Sequence, residues 1–193
     1  MDLGNFLDGI STVDLLIFLY FIGFFVLGFA QGTIRRLIGI ASILFSFLFA
    51  ANIAKPLGDY LGQNWTQFSK EYSLMIGFAT VFFASAIAFA LVAQGLYKSQ
   101  PLFPKARFLD EIIGGILGLI EAALIFGAVL VILDSFFALP GIAADPQELP
   151  FLRDFWTALD GSNAAVLFRD TLIPAFFAVF GFLIPDWLES RYI

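Results

Sequence analysis

Long apolar stretches alternate with short polar segments along this chain, and their lengths predict membrane-spanning helices. Crossing the roughly 30 Å hydrocarbon core of a bilayer takes about 20 apolar residues in a helix. Four stretches approach or reach that length, and they cover residues 13–30, 37–54, 74–96 and 112–133. The pattern therefore predicts four transmembrane helices, of which the first two have little length to spare.

A fifth apolar run, residues 172–184, is shorter and contains Pro174. Thirteen residues are too few to cross a bilayer without help. Arg169 and Asp170 stand just before the run and argue against extending it backwards. We therefore expect this run to lie in the membrane interface, to re-enter, or to pack on the bundle.

The segment before this run has the pattern of a short surface helix. Pro150 suits the first turn of a helix, Gly161 suits its end, and Ser162 or Asn163 suits the cap of a following helix that runs toward Pro174. One face of the first helix is apolar and is formed by Phe151, Leu152, Phe155 and Leu159. Two interpretations stay open, namely a helix lying at the membrane interface and a cap on the end of the bundle.

These elements together predict an all-α integral membrane protein. We expect a compact four-helix transmembrane bundle in residues 1–137, followed in residues 138–193 by an extracytoplasmic tail of short amphipathic or interfacial helices. Small residues at four-residue spacing support close helix contacts, because they let backbones approach where lipid offers no hydrophobic driving force. Gly28 and Gly32 at the end of the first span, and Gly114 and Gly118 in the fourth, have this spacing.

Composition supports the membrane assignment and removes several kinds of chemistry. Of the 193 residues, 60% are hydrophobic and only 13% are charged, which is unlike a soluble domain. The chain has no cysteine and no histidine, so thiolate nucleophiles and the commonest neutral-pH base and zinc ligands are missing. We expect no catalytic residues, no cofactor and no metal site. The net charge of −6 also argues against nucleic acid as a partner.

Basic residues predict the orientation. The loops after the first and third spans contain Arg35, Arg36, Lys98, Lys105 and Arg107. Short loops rich in lysine and arginine stay in the cytoplasm. This places both termini outside the cytoplasm in a multi-pass protein.

Glu121 is the only ionisable side chain in the fourth predicted span, residues 112–133. A carboxylate near the bilayer centre costs at least about 2.5 kcal/mol on insertion scales. Gly114, Gly118 and Ala128 share its helix face, so we expect it to face a neighbouring helix. Two interpretations stay open: a buried polar contact that fixes helix packing, or a site for a proton, a cation or a polar substrate.

Two glycine-rich runs carry a resemblance to a known family. The run GFAQGTIR from Gly28 to Arg35 resembles the colicin V production protein (CvpA) family, whose members have a G-x-x-R pattern there. The run DEIIGGILG from Asp110 to Gly118, and Asp14 at the start of the first span, also fit. The resemblance implies a bacterial inner-membrane protein with four spans and a tail of short helices. It also implies a role in peptide-toxin production or export or in envelope homeostasis, with no enzymatic activity.

The chain departs from the family pattern at two positions. Gln31 stands where members often have arginine, and Glu121 with Ala122 stands where Arg-Gly is common. A role resting on those arginines is therefore in doubt here. Arg35 and Arg36 are available as partners for Glu121, and pairing would lower the cost of burying its carboxylate.

The leading functional hypothesis is a non-enzymatic accessory or scaffold protein of the cell envelope. The alternative is a small transporter or channel component that uses Glu121 within the bundle. Expected partners are membrane lipids and a second copy of the chain or other envelope proteins.

Overall fold

The computed structural model of the protein describes residues 11–96, 102, 106–141 and 148–192, and every regular element in those residues is helical. The four long helices are α1 (Thr12–Gln31), α2 (Thr33–Asn64), α3 (Lys70–Leu96) and α4 (Arg107–Phe137). The later elements are α5 (Pro150–Asp160), α6 (Asn163–Leu167), a π-helical turn (Phe168–Leu172), α7 (Ile173–Phe180), a 3-10 turn (Gly181–Leu183) and α8 (Asp186–Glu189).

Five helical segments of the described residues are long and apolar enough to cross a membrane. They are Thr12–Gln31, Thr33–Asn64, Lys70–Ala93, Arg107–Phe137 and Asn163–Leu183. The first, second and fourth contain the predicted spans, the third contains residues 74–93 of the predicted 74–96, and the predicted all-α membrane fold is supported. The predicted count of four spans is not confirmed, because the fifth segment is also long and apolar enough.

The long helices extend past the predicted apolar stretches. Helix α2 continues through Pro56 to Asn64, although its predicted apolar stretch ends at residue 54. Helix α4 begins at Arg107 and ends at Phe137, whereas residues 112–133 were expected. The difference is physical, since hydropathy marks the part of a helix suited to hydrocarbon and the backbone hydrogen bonds continue beyond it.

Helix α4 packs between α1 and α2, and α3 packs mainly on α2. Direct contact between α1 and α2 is sparse even though Gly32 alone separates them in sequence. At the α2–α3 contact, a Cβ atom on Gly58 would lie 2.7 Å from the Cα of Leu74. The core between these helices is apolar and includes Phe47, Phe78 and Leu130. Large apolar side chains also cover much of the exposed surface of α1, as expected of a helix facing lipid.

We call Asn163–Leu183 the fifth segment, and it corrects one expectation. The expectation that Arg169 and Asp170 stop the helix from extending backwards is wrong, because the helix begins at Asn163 and continues through both residues. The Ser162 Oγ caps it by accepting from the Ala165 N–H at 3.1 Å, as the sequence suggests. Both charged residues lie in the π-helical turn that precedes Pro174, which has no N–H to donate to the helix.

Both ends of the fifth segment contact the same end of the bundle. The Asn163 Nδ2 donates to Asp14 Oδ2 of α1 at 3.0 Å, and the Asn52 Nδ2 of α2 donates to the Leu183 carbonyl at 3.1 Å. At about 1.5 Å per residue, Asp14 and Asn52 lie about 27 Å and about 30 Å along their helices from Gly32. Between these ends the segment enters the bundle, because the Phe168 ring lies 4.7 Å from the Phe126 ring and 6.3 Å from the Phe21 ring. Phe21 is about 10 Å nearer Gly32 than Asp14 is. The fifth segment therefore turns back within the bundle instead of following the long helices from end to end.

We call the two ends of the bundle the Gly32 end and the Asp14 end. Helix α5 lies near the Asp14 end, since Trp156 bonds to Asp134 in the last turn of α4. Its boundaries follow the sequence signals, with Pro150 in the first turn and Gly161 as the residue that ends it. The division into residues 1–137 and 138–193 stays a prediction.

Candidate functional site

Helices α1 and α4 approach closely near the Gly32 end because glycines occupy their contact. A Cβ atom on Gly28 would overlap the carbonyl of Gly114, and one on Gly118 would overlap the carbonyl of Phe24. A Cβ on Gly114 would also lie 2.9 Å from the Cα of Gly32. Both predicted glycine pairs therefore lie in one helix contact, and this contact positions α4 beside the start of α2.

Gly32 makes the abrupt change of direction from α1 to α2. Its φ of 78° lies in the left-handed region that favours glycine, and its N–H donates to the Gly28 carbonyl at 2.9 Å. A side chain at Gly32 would meet the buried carboxylate of Asp110. The Thr33 hydroxyl donates to the Asp110 carbonyl at 3.1 Å, and the Asp110 carboxylate accepts from the Leu102 N–H at 3.2 Å. Asp110 thus holds the Gly32 turn against the start of α4.

Arg36 of α2 forms an ion pair with Glu121 of α4 close to this turn. The Arg36 Nη1 donates to Glu121 Oε2, and its Nη2 donates to Gln31 Oε1 at 2.7 Å. The two charged side chains are only 7% and 13% exposed, so each needs the other to offset the loss of water. Gly39 lies directly against the Glu121 carboxylate, where any side chain would collide with it. The predicted pairing of Glu121 with an arginine of this turn is therefore observed.

Sequence alone left Arg35 and Arg36 as equal candidates, and the structure places them differently. Arg36 is buried, lies 5.9 Å from the centre of the Phe24 ring, and holds Glu121. Arg35 is exposed, and it lines a cavity that opens beside the Arg36–Glu121 pair. Gln31 also accepts a hydrogen bond from Arg36. The two positions that depart from the resembled family pattern, Gln31 and Glu121, therefore bind the same guanidinium.

A cavity of about 450 Å³ opens beside this pair. We call it the Gly32-end cavity, and its wall is formed by Phe24, Leu27, Gln31, Arg35, Arg36, Ile38, Gly39, Ser42, Ile43, Ala86, Ala90, Ala93 and Glu121. The charged groups cluster at α2 and α4, whereas α3 contributes three alanines. A charged floor with apolar sides is suited to a polar or amphiphilic ligand.

Asp14, another residue singled out by the sequence, lies at the opposite end. Its carboxylate accepts hydrogen bonds from the Asn163 Nδ2 at 3.0 Å and from the Ala164 N–H at 3.2 Å, and its backbone N–H donates to the Ser11 Oγ. Asp14 therefore ties the start of the fifth segment to α1 and takes no part in the Gly32-end cavity. Among the residues that the structure describes, no group of three or more acidic side chains is placed to hold a metal ion.

Sequence reasoning missed a second charged cluster near the Asp14 end. Arg169 of the π-helical turn donates to both oxygens of Asp134, at 2.8 and 2.7 Å, and to Asp160 at 2.6 Å. The Trp156 indole N–H donates to Asp134 Oδ1 at 2.8 Å. Nearby, burial and the Asp134 carboxylate raise the pKa of the Tyr192 hydroxyl above its ordinary value, although Arg191 and Arg169 oppose this. No spacing rule links residues 134, 160 and 169, so only the fold brings them together.

A comparison with known protein families identifies the family of this chain. The family described as Colicin V production protein matches residues 13–158, which include α1 to α4, the Gly32-end cavity and most of α5. The comparison with curated proteins finds no match, and neither does the comparison with solved structures.

Proposed function

The chain belongs to the colicin V production protein family, and we propose that it is a non-enzymatic accessory or scaffold protein of the bacterial inner membrane. In this proposal it acts in envelope homeostasis or in the production and export of peptide toxins such as colicin V. The family membership and the apolar helices support a membrane protein of this kind. The accessory role is our inference from how the bundle uses its charges.

The observation that carries the proposal is the internal pairing of charged side chains inside the bundle. Glu121 is held by Arg36, and Asp134 is held by Arg169 and Trp156. These bonds join α2 to α4, and α4 to α5 and the fifth segment. Charges used in this way fix the relative positions of helices, which is what a scaffold requires.

A transporter or channel component is the second candidate, and the Gly32-end cavity favours it. Glu121 lies in the cavity wall, where a proton or cation could reach its carboxylate. The two candidates differ in what they require of this residue. A scaffold needs the shape and the hydrogen bond, whereas proton or cation transfer needs the ionisable group.

Complementation of a deletion strain separates them. The growth of the strain is measured in medium that contains detergent. Rescue of growth by the parent protein is compared with rescue by the Glu121→Gln variant. The amide keeps the size and can still accept from Arg36, so a scaffold predicts rescue within about twofold of the parent. Equal membrane levels with no rescue by Glu121→Gln would favour proton or cation transfer and overturn the scaffold proposal.

We also propose four spans, with the fifth segment entering the bundle from the Asp14 end and returning to it, and with both termini outside the cytoplasm. The contacts of Asn163 with Asp14 and of Leu183 with Asn52 support this, because both ends of the segment then stay on one side. The two contacts lie about 27 to 30 Å from Gly32 along the helices, which matches the roughly 30 Å thickness of the hydrocarbon core. The basic residues near Gly32 favour a cytoplasmic location for the Gly32 end.

Single cysteines test this topology cleanly, because the chain has none of its own. Cysteines at the exposed positions Thr157 and Ser190 flank the fifth segment. Both should react with an impermeant reagent added to intact cells. A cysteine at exposed Arg107, at the other end of α4, should react only after permeabilisation. Labelling of Thr157 without Ser190 would mean a fifth crossing and a terminus in the cytoplasm.

A further inference from the structure

The Gly32-end cavity has an excess of positive charge beside one unpartnered donor. The described residues of its wall include two guanidiniums, those of Arg35 and Arg36, and one carboxylate, that of Glu121. Glu121 is already neutralised by Arg36, so the remaining charge is that of Arg35. The balance therefore favours an anion over a cation in this cavity.

The unpartnered donor is the Nε of Arg36. Its guanidinium bonds to Glu121 and Gln31 through the two terminal nitrogens, and the buried Nε has no hydrogen-bond partner among the described residues. A buried donor without a partner is costly. A small shift of the guanidinium toward the cavity would let a phosphate oxygen accept from this donor, and arginine binds phosphate oxygens well because its donors form a planar fork.

The walls around these charges indicate what carries the anion. Leu27 and Ile38 line the cavity together with a row of alanines from α3. Ile43 belongs to this wall and also to that of a second cavity of about 350 Å³. The second cavity is lined by apolar side chains of α2, α4 and the fifth segment. A charged pocket next to an apolar one matches the two parts of a phospholipid.

We propose that the Gly32-end cavity binds a phosphate-bearing anion between Arg35 and Arg36, with Glu121 and Gln31 positioning the Arg36 guanidinium. Basic pockets between transmembrane helices bind anionic lipid headgroups by the same chemistry. The phosphate can be part of a phospholipid or a free ion, and this shared chemistry defines the site. The inference does not rest on the accessory role, since an anion site serves a scaffold and a transporter alike.

The test uses the full-length protein in a zwitterionic detergent. Retention of phosphatidylglycerol and of phosphatidylcholine with the same acyl chains is measured by native mass spectrometry. Inorganic phosphate is added separately, and its effect on thermal unfolding is recorded. We expect phosphatidylglycerol to be retained at least fivefold more than phosphatidylcholine. Stabilisation by phosphate alone, without lipid preference but lost in Arg35→Gln, would identify a free ion as the source.

Arg35→Gln is the principal variant because Arg35 is exposed and does not hold Glu121. It should lower binding of the preferred phosphate carrier about fivefold, the effect of one basic residue near an anionic lipid. Arg107→Gln is the matched control. Arg107 is an exposed arginine near the same end, pairs with Glu111 and does not line the cavity. An equal loss in both variants would reduce the effect to general surface charge and overturn the proposal.

Two further variants separate a local site from damage to the fold. Glu121→Gln removes the only negative charge among the described residues of the cavity wall, so it should raise binding severalfold while Arg35→Gln lowers it. The double variant Arg36→Gln with Glu121→Gln leaves the cavity charge unchanged but removes the guanidinium. Loss of binding in a folded double variant supports the Arg36 contact. Unchanged binding there, or no selectivity for either phosphate source in the parent, would contradict the proposal.

Discussion

The two charged regions of the bundle use the same kinds of side chain in different ways. At the Asp14 end, Arg169 is bound by both oxygens of Asp134 and by Asp160, and the Trp156 N–H completes the cluster. At the Gly32 end, the Arg36 Nε has no partner in the part of the chain that the structure describes, and a cavity opens beside the Arg36–Glu121 pair.

This difference separates a structural cluster from a binding site. A satisfied network in a low-dielectric environment stabilises one arrangement of its helices. A cluster that keeps an unpartnered donor, an exposed second arginine and free volume can take a ligand. We therefore interpret the Asp14-end cluster as a structural contact that holds α5 and the fifth segment against α4, and the Gly32-end cluster as the candidate binding site.

The largest expected effect on stability comes from breaking the contact between Asp134 and Arg169 at the Asp14 end. Asp134→Leu leaves the half-buried Arg169 without its main partner, and loss of one member of a buried pair costs up to about 3–5 kcal/mol. The free energy of unfolding is measured in mixed micelles. Trp156 lies in the cluster, so its fluorescence follows its release once Trp65 and Trp187 are replaced by phenylalanine. Asp154→Leu replaces an exposed carboxylate on α5 and should change stability by less than about 0.5 kcal/mol. Equal losses would show that the cluster does not hold the tail.

This cluster also shows where sequence reasoning stops. The apolar stretches predict the four long helices, and glycine spacing predicts that α1 and α4 make close helix contacts, because both signals are local. The spacing does not say that the two helices contact each other. The Ser162 cap and the Pro150 and Gly161 boundaries of α5 are local as well. Asp134 and Arg169 are 35 residues apart and on different elements. Their pairing depends on tertiary structure, and so does the course of the fifth segment through a charged turn.

The candidate site was predicted only in part for the same reason. Glu121 stands out because it is a lone carboxylate in an apolar span, and its direction follows from the glycines on its face. Which arginine meets it depends on the angle at which α2 leaves Gly32. That angle follows from a φ of 78° and from α4 packing between α1 and α2. Neither quantity can be derived from residue spacing.

An intermediate effect should come from the backbone contact that supports the Gly32 end. Gly28→Ala forces a methyl group against the Gly114 carbonyl, and overpacking of this kind costs about 1–3 kcal/mol. Gly23→Ala is a matched control on the same helix, because a Cβ there has no neighbour within 4 Å. The control should be neutral or gain up to about 1 kcal/mol from helix propensity. If both variants lose the same stability in mixed micelles, the close α1–α4 approach does not support the site.

The smallest expected effect tests which arginine holds Glu121. A double-mutant cycle of Arg36→Gln and Glu121→Gln should give a coupling energy of about 1 kcal/mol, since contacting charged residues couple by about 0.5–3 kcal/mol. The parallel cycle with Arg35→Gln should be additive within about 0.5 kcal/mol, because Arg35 is exposed and does not bind the carboxylate. Both cycles remove one positive and one negative charge, so they differ only in contact. Coupling to Arg35 and additivity with Arg36 would mean that the exposed arginine is the true partner. Arg35 would then be the neutralised side chain, and the cavity would lose the exposed guanidinium on which the proposed anion site depends.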